Sequence, residues 1–176
     1  MGLPVLRSAD HRRVPWKNGL GVTYEVAQSG DADFDWRLSF AEVDRPGPFS
    51  SFPEVDRIIT LVSGDQLELT MPGEAKQVLR PFEPFAFPGE AEVWAETSTA
   101  TVNFNVMTRR GRTAAEVVCR RIAGQASIDT SGFLVVLEGS LTVDGEVLGP
   151  RDVVRDPAVA VSGDAMVAVV ALSPNP

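Results

Sequence analysis

Apolar and polar residues alternate with a period of two along much of this chain. In GVTYEVA, Val22, Tyr24 and Val26 oppose Thr23 and Glu25; in FDWRLSFAEV, Phe34, Trp36, Leu38 and Phe40 oppose Asp35, Arg37, Ser39 and Ala41. Successive side chains of an extended backbone point to opposite faces, so this period predicts strands with one apolar and one polar face. DRIITLVSG, QLELTM, FAFP, EVWAE and TVNFNVM continue in the same style. The best helical candidate, Thr113 to Ile122, also keeps period two, Val117 and Cys119 against Val118 and Arg120, and is read as a strand. Thirteen prolines and 15 glycines interrupt these runs at short intervals, leaving no room for long helices. Many short strands with turn punctuation predict an all-β sandwich or barrel, with Trp36, Trp94 and Phe104 in its core.

A repeat divides the chain. LVSGDQLEL, beginning at Leu61, and VLEGSLTVDG, beginning at Val136, share an apolar pair, a polar residue, a glycine and a strand. Each is followed by a proline-marked strand entry, FEPFAFPGE and RDVVRDPAV. Two such units in one order predict duplicated β modules, joined through TRRGRTAAE at 108–116.

Composition narrows the function classes. At 176 residues, 44% of them hydrophobic, the chain can build one ordinary core or two small ones. A formal net charge of −8 argues against nucleic acid, and the one dense basic run, Arg109-Arg110 with Arg112, reads first as a solvated loop at a strand end. Cys119 is the sole cysteine, so neither an intrachain disulfide nor a thiolate zinc site can form. MGLPVLRSADHRR lacks a signal-like apolar core, and no apolar run approaches the roughly 20 residues of a membrane helix. The expectation is a soluble, cytoplasmic protein.

At this point the two units resemble cupins. Metal-binding cupins carry a glycine, two histidines, a glutamate, six residues and a glycine. Here Arg57 precedes six residues and Gly64, so an arginine stands where the acidic ligand would; FSSFPEV (49–55) occupies the place of the histidines. The second motif's histidine would fall near Glu92 or Val93, and the corresponding places in the second unit lie around Gly132 and Ser162. None holds a histidine, and His11, the only one, would be a solitary ligand. A guanidinium repels a metal ion and attracts an anion, so the pocket is expected to be metal-free and without cofactor. The likeness implies a bicupin: two antiparallel jelly-roll β-barrels, one over 1–112 with the ligand pocket and a smaller one over 113–176 packed on it.

A narrower resemblance rests on VPWKNGLGVTYEVA, FDWRLSFAEVDRPGPFSSFPEVDRIITLVSG and FNVMTRRG, which together look like the HutD/Ves family of metal-free bicupins. The likeness covers most of the chain up to Arg112; the last third matches as a generic cupin. Leu20 departs from the family pattern, which usually has a third consecutive glycine there, and Asn103 stands where an aspartate is common. The resemblance implies a link to histidine utilisation and, as ligand, a small anionic metabolite of the urocanate, formylglutamate, formiminoglutamate or formate type. It leaves a homodimer open and assigns no reaction.

The residues expected to bind are Trp16, Lys17, Asn18, Arg37, Asp56, Arg57 and Asn105. A glycine-bracketed loop at Trp16-Lys17-Asn18 can approach another backbone closely, though Asn18-Gly19 reads equally as a hairpin turn. Two arginines, an amide and an aromatic wall suit a small carboxylate. Arg37 could instead face solvent, Arg57 could pair with a carboxylate near Asp56, and Asn105 faces opposite to Phe104 and Val106, inward or outward. Catalysis is less well supported. His11 leaves no nucleophile–base pair, and the acids Glu25, Asp56 and Glu92 show no partner that would separate their pKa values. The first reading is therefore a small-carboxylate binder acting as an accessory or regulator of histidine catabolism. The second is a metal-independent isomerase or hydrolase of a histidine-degradation intermediate; the third is a structural partner of a larger assembly.

Overall fold

The structure is a computed structural model and describes residues 4–175. The chain runs β1 (Val5–Leu6), one 3₁₀ turn (Ser8–Asp10), β2 (Arg12–Pro15), β3 (Gly21–Gln28), β4 (Trp36–Val43), β5 (Gly47–Pro48), β6 (Val55–Ser63), β7 (Leu67–Thr70) and β8 (Gln77–Leu79). It continues through β9 (Pro84–Pro88), β10 (Trp94–Glu96), β11 (Thr101–Arg109), β12 (Thr113–Asp129), β13 (Gly132–Val143), β14 (Glu146–Leu148), β15 (Val153–Arg155) and β16 (Ala158–Pro174). Every stretch of period-two alternation is a strand, Thr113 to Ile122 included. Among the described residues there is no α-helix, and no helix that could cross a membrane.

The chain divides into two compact units. One is Arg12–Ala114, rejoined by Asn175; the other is Ala115–Pro174 together with the residues up to His11. Residues 4–11 thus belong with the second unit rather than with the rest of 1–112, because β1 pairs antiparallel with β15, Val5 opposite Val154.

In the Arg12–Ala114 unit, a six-stranded sheet of order β2-β3-β4-β11-β6-β9 accompanies a four-stranded sheet of order β5-β10-β7-β8. Ile59, Leu61 and Phe87 from the larger sheet meet Leu67, Leu69, Leu79 and Ala95 from the smaller in one buried cluster. Each such aliphatic side chain removed from water stabilises the unit by about 1.5–3 kcal/mol. Trp94 departs from the expected core: on β10 it is 46% exposed, while Phe104 is fully buried.

The other unit has one sheet of order β1-β15-β13-β16-β12, with β14 added beside β13. Its interior is aliphatic: Ile122, Ile128, Leu134, Val136, Leu141, Val143, Leu148, Val154, Val161, Ala165 and Val167 form one cluster. Both units carry the same irregularity at the repeat. The β6–β11 pairing slips at Val62, between Leu61 and Ser63, and the β13–β16 pairing slips at Leu137, between Val136 and Glu138. Each bulge falls one position after the residue that opens its copy of the sequence repeat, Leu61 in the first and Val136 in the second.

Candidate functional site

A cavity of about 450 Å³ opens in the Arg12–Ala114 unit. Its walls come from the β2–β3 hairpin, the inward faces of β4, β6 and β11, and the segment after β5. Period two explains the selection. On β4 the polar side of the alternation, Arg37, Ser39 and Ala41, turns toward the cavity; on β11, Asn103, Asn105 and Met107 do; on β6, Arg57 and Ile59 do.

The hairpin loop is both a turn and a wall. Gly19 N–H donates to the Trp16 carbonyl at 3.0 Å and Trp16 N–H to the Gly21 carbonyl at 2.9 Å. Gly19 takes φ +71°, a conformation costly for any residue with a Cβ. The Asn18 side chain accepts from the Leu20 N–H at 3.0 Å, closing the loop locally. Leu20 is seated against Gly47, where even a Cβ would fall 2.5 Å from its Cδ1. Trp16 Nε1 donates to Thr23 Oγ1 at 2.8 Å, which fixes the indole as cavity lining, and Lys17 and Asn18 line the same space.

Arg57 is the centre of the site. It is 6% exposed, and its Nη1 donates to the Ser50 carbonyl at 3.2 Å and its Nη2 to Asn105 Oδ1 at 3.3 Å. Its guanidinium carbon lies 5.4, 5.4 and 4.9 Å from the ring centres of Phe49, Phe52 and Phe87. No carboxylate pairs with it among the described residues, and its Nε has no hydrogen-bond partner there. Burial, and then the positive charge of Arg37, push its pKa down to about 10. Arg37 differs: its Nη2 donates to Glu25 Oε1 at 2.7 Å, and the other oxygen of Glu25 accepts from Arg12, its cross-strand partner. Arg37 and Phe52 also border a second hollow of about 510 Å³ lined by Arg12, Glu25, Gln28 and Arg109.

The structure thus gathers six of the seven expected residues: Trp16, Lys17, Asn18, Arg37, Arg57 and Asn105. Asp56 is the correction. Next to Arg57 on β6, it points to the opposite face and accepts from Arg110 Nη2 at 2.9 Å. Arg110 also donates to Glu90 at 2.8 Å, and Arg112 pairs with Asp33 and Asp35, so the basic run is engaged with acids. Three contributors escape the sequence reading as site residues: Asn103, Glu25 and the Ser50 carbonyl. Asn103 was legible in principle, since it shares its strand parity with Asn105.

No Asp, Glu, His or Cys among the described residues lines the 450 Å³ cavity. Among the described residues no group of three or more such side chains could hold a metal ion. A lining of guanidinium, ammonium, amide and hydroxyl groups does not fit the ligand set of a divalent cation. It fits an anion. The site also lacks an activated nucleophile: Cys119 lies in the other unit, where burial pushes its thiol up to about 11.

Comparison with known proteins bears on the family and the fold. The Ves protein of Cronobacter sakazakii is 33% identical over 148 residues, covering 81% of this chain and 82% of its own. An uncharacterized 21.2 kDa protein in the hutC 3′ region of Pseudomonas putida is 45% identical over 94 residues, 52% of this chain; the alignment spans 50% of that relative's length. The structure of HutD from Pseudomonas fluorescens SBW25, solved in a formate condition, superposes with a TM-score of 0.84 at 29% identity, covering 99% of this chain and 100% of that one. The fold is all-β and cupin-like. The HutD family profile matches residues 8–170, and the chain belongs to the HutD family.

Proposed function

We propose that this protein binds a small carboxylate in the Arg57 cavity and acts as an accessory or regulator of histidine catabolism. One observation carries the reading. Arg57 is buried with no counter-ion among the described residues, a costly arrangement that a bound anion would relieve by supplying the charge and an acceptor for its unanswered Nε–H. Arg57 and Asn105 hold the carboxylate, Arg37 adds positive potential from its clamp with Glu25, and Trp16 and Phe49 offer apolar walls. Lys17 stands exposed beside the cavity and draws anions toward it. The link to histidine catabolism rests on the family and on the hutC-region relative. The candidate ligands are histidine-pathway acids such as urocanate, formylglutamate and formiminoglutamate, and formate.

In the same reading the two units are the two jelly-roll barrels of a metal-free bicupin that works in the cytoplasm. The enzymatic alternative loses support, because neither Asp56 nor Glu92 borders the cavity and Glu25 is held by two arginines.

The test is a thermal-shift series with histidine, urocanate, formylglutamate, formiminoglutamate, glutamate and formate, with metal analysis of the same sample. A ligand at 100 times its dissociation constant adds about 2.7 kcal/mol, a readily visible shift. The expected result is stabilisation by at least one acid, lost in Arg57→Met, with no stoichiometric metal. Silence toward all six, or a bound metal, would sink the anion pocket. Turnover of any of the acids would favour the enzyme.

A further inference from the structure

The hydrogen bonds along β11 give the cavity wall a polarity. Thr101 is buried, and its hydroxyl donates its only proton to the Val43 carbonyl, which can only accept, at 3.1 Å. Its oxygen can therefore only accept from Asn103, 3.4 Å away, so Asn103 turns its NH₂ to Thr101 and leaves its Oδ1 over. That oxygen is buried without a donor, on a side chain 0% exposed that lines the cavity. Two residues along, Asn105 Oδ1 meets Arg57 Nη2, which can only donate, so the Arg57 end of the wall presents donors. Strand geometry sets the two positions roughly 7 Å apart on one face.

We propose that Asn103 determines specificity: it selects carboxylates that carry an N–H or O–H donor roughly 7 Å from the acid group held at Arg57. This rests on the carboxylate reading of the cavity and adds a second requirement to it. A ligand of one carbon, such as formate, occupies the Arg57 end and leaves the Asn103 oxygen unanswered. An acid with an azole, amide or hydroxyl donor at the far end satisfies both. A buried acceptor left without a donor weakens binding, so an isostere lacking the hydrogen is rejected more strongly than its shape alone would predict.

Two pairs of acids, matched in length and planarity, test the idea by calorimetry on the purified full chain. They are trans-urocanate against 3-(2-furyl)acrylate, and 4-hydroxybenzoate against 4-fluorobenzoate. Wild type is expected to bind the donor-bearing member roughly 5- to 100-fold more tightly. In Asn103→Leu the preference should shrink to within about twofold. Equal affinities within each pair on wild type, or a preference that survives in Asn103→Leu, overturns the role of Asn103 and leaves the anion site standing. The wild-type ratio decides the matter even if the variant folds poorly. Failure of all four acids to bind, or binding indifferent to Arg57→Met, instead removes the carboxylate site and the specificity proposal with it.

Discussion

The two units share a bulged central strand pair, and the contrast between them comes down to a few inward positions. Their shared bulge sets the equivalence residue by residue. Arg57, Ile59 and Leu61 on β6 correspond to Gly132, Leu134 and Val136 on β13. Opposite them, Asn103, Asn105 and Met107 on β11 correspond to Val167, Val169 and Ala171 on β16. A cation and two amides in the first unit are thus a glycine and two valines in the second. The valines join an aliphatic cluster that fills its interior; the amides line an open cavity. Gly132 also closes the position to any substitute for Arg57. Its φ is +152°, and a Cβ there would sit 2.2 Å from the Val170 carbonyl oxygen. Backbone pairing makes the frame, and side-chain polarity decides whether the frame is packed or open.

Exchanging the equivalent residues should break this contrast, most strongly in the filled unit. Val167→Asn places an amide in an apolar interior without partners, and is expected to lower unfolding free energy by about 3 kcal/mol or more in a denaturant titration. A loss under about 1 kcal/mol would mean that this interior already holds water or polar partners. Arg57→Met should weaken binding of the stabilising acid by roughly 30-fold to several-thousand-fold, the usual range for truncating one member of a buried charge pair. Stability without ligand should hold or rise, because relief of a buried charge offsets the lost contacts with Ser50, Asn105 and the phenylalanine rings.

The pH dependence of binding follows next in size. Burial brings Arg57 from its ordinary, higher pKa down to about 10 in the folded protein, so below about 10 the unliganded protein bears the full penalty of its buried charge. That penalty is relieved as pH climbs above about 10, while the anion loses its protonated partner. Carboxylate affinity should therefore be flat from neutral pH to about 9 and then fall by up to tenfold per unit above about 10. A decline beginning near pH 7 would assign the binding charge to another group. Asn103→Val, the reverse of Val167→Asn, should leave stability unchanged or raise it by up to about 1 kcal/mol, since it removes an unanswered buried acceptor. The smallest effect belongs to Asp56→Asn. It cuts an exposed contact with Arg110 and should leave carboxylate affinity unaltered, and a measurable change would place Asp56 at the site after all.

Much of this was written in local pattern. Period two located β3, β4, β6, β7, β9, β10 and β11, and the spacing from Arg57 to Gly64 set an arginine where a cupin ligand belongs. The same period also carried a warning: Asp56 and Arg57 are neighbours on one strand and cannot share a face. The polar side of β4 reads as solvent-facing in isolation, yet both sides of the strand are buried, Leu38 and Phe40 on one and Ser39 and Ala41 on the other. Which face met water depended on neighbours far along the chain. Glu25 could be tied to Arg37 only through the β3–β4 register, which slips between Glu25 and Ala27. The Ser50 carbonyl is backbone, with no side-chain signal at all. Trp94 has the composition of a core residue and sits on the outer side of a short strand.

The clip at the amino end carries a consequence for how the molecule is made. Asp152 accepts from the Ser8 N–H at 2.8 Å and from Arg7 at 3.1 Å, while Val5 and Leu6 add a strand beside β15. Val5 to Ser8 are translated before the Arg57 unit, and their partners on and beside β15 are translated after it. β1 is thus seated only once β15 has been made, and the whole of the Arg57 unit is translated while it waits. A stalled or truncated nascent chain ending before Asp152 would expose a loose amino end, a natural handle for proteases that inspect incomplete chains.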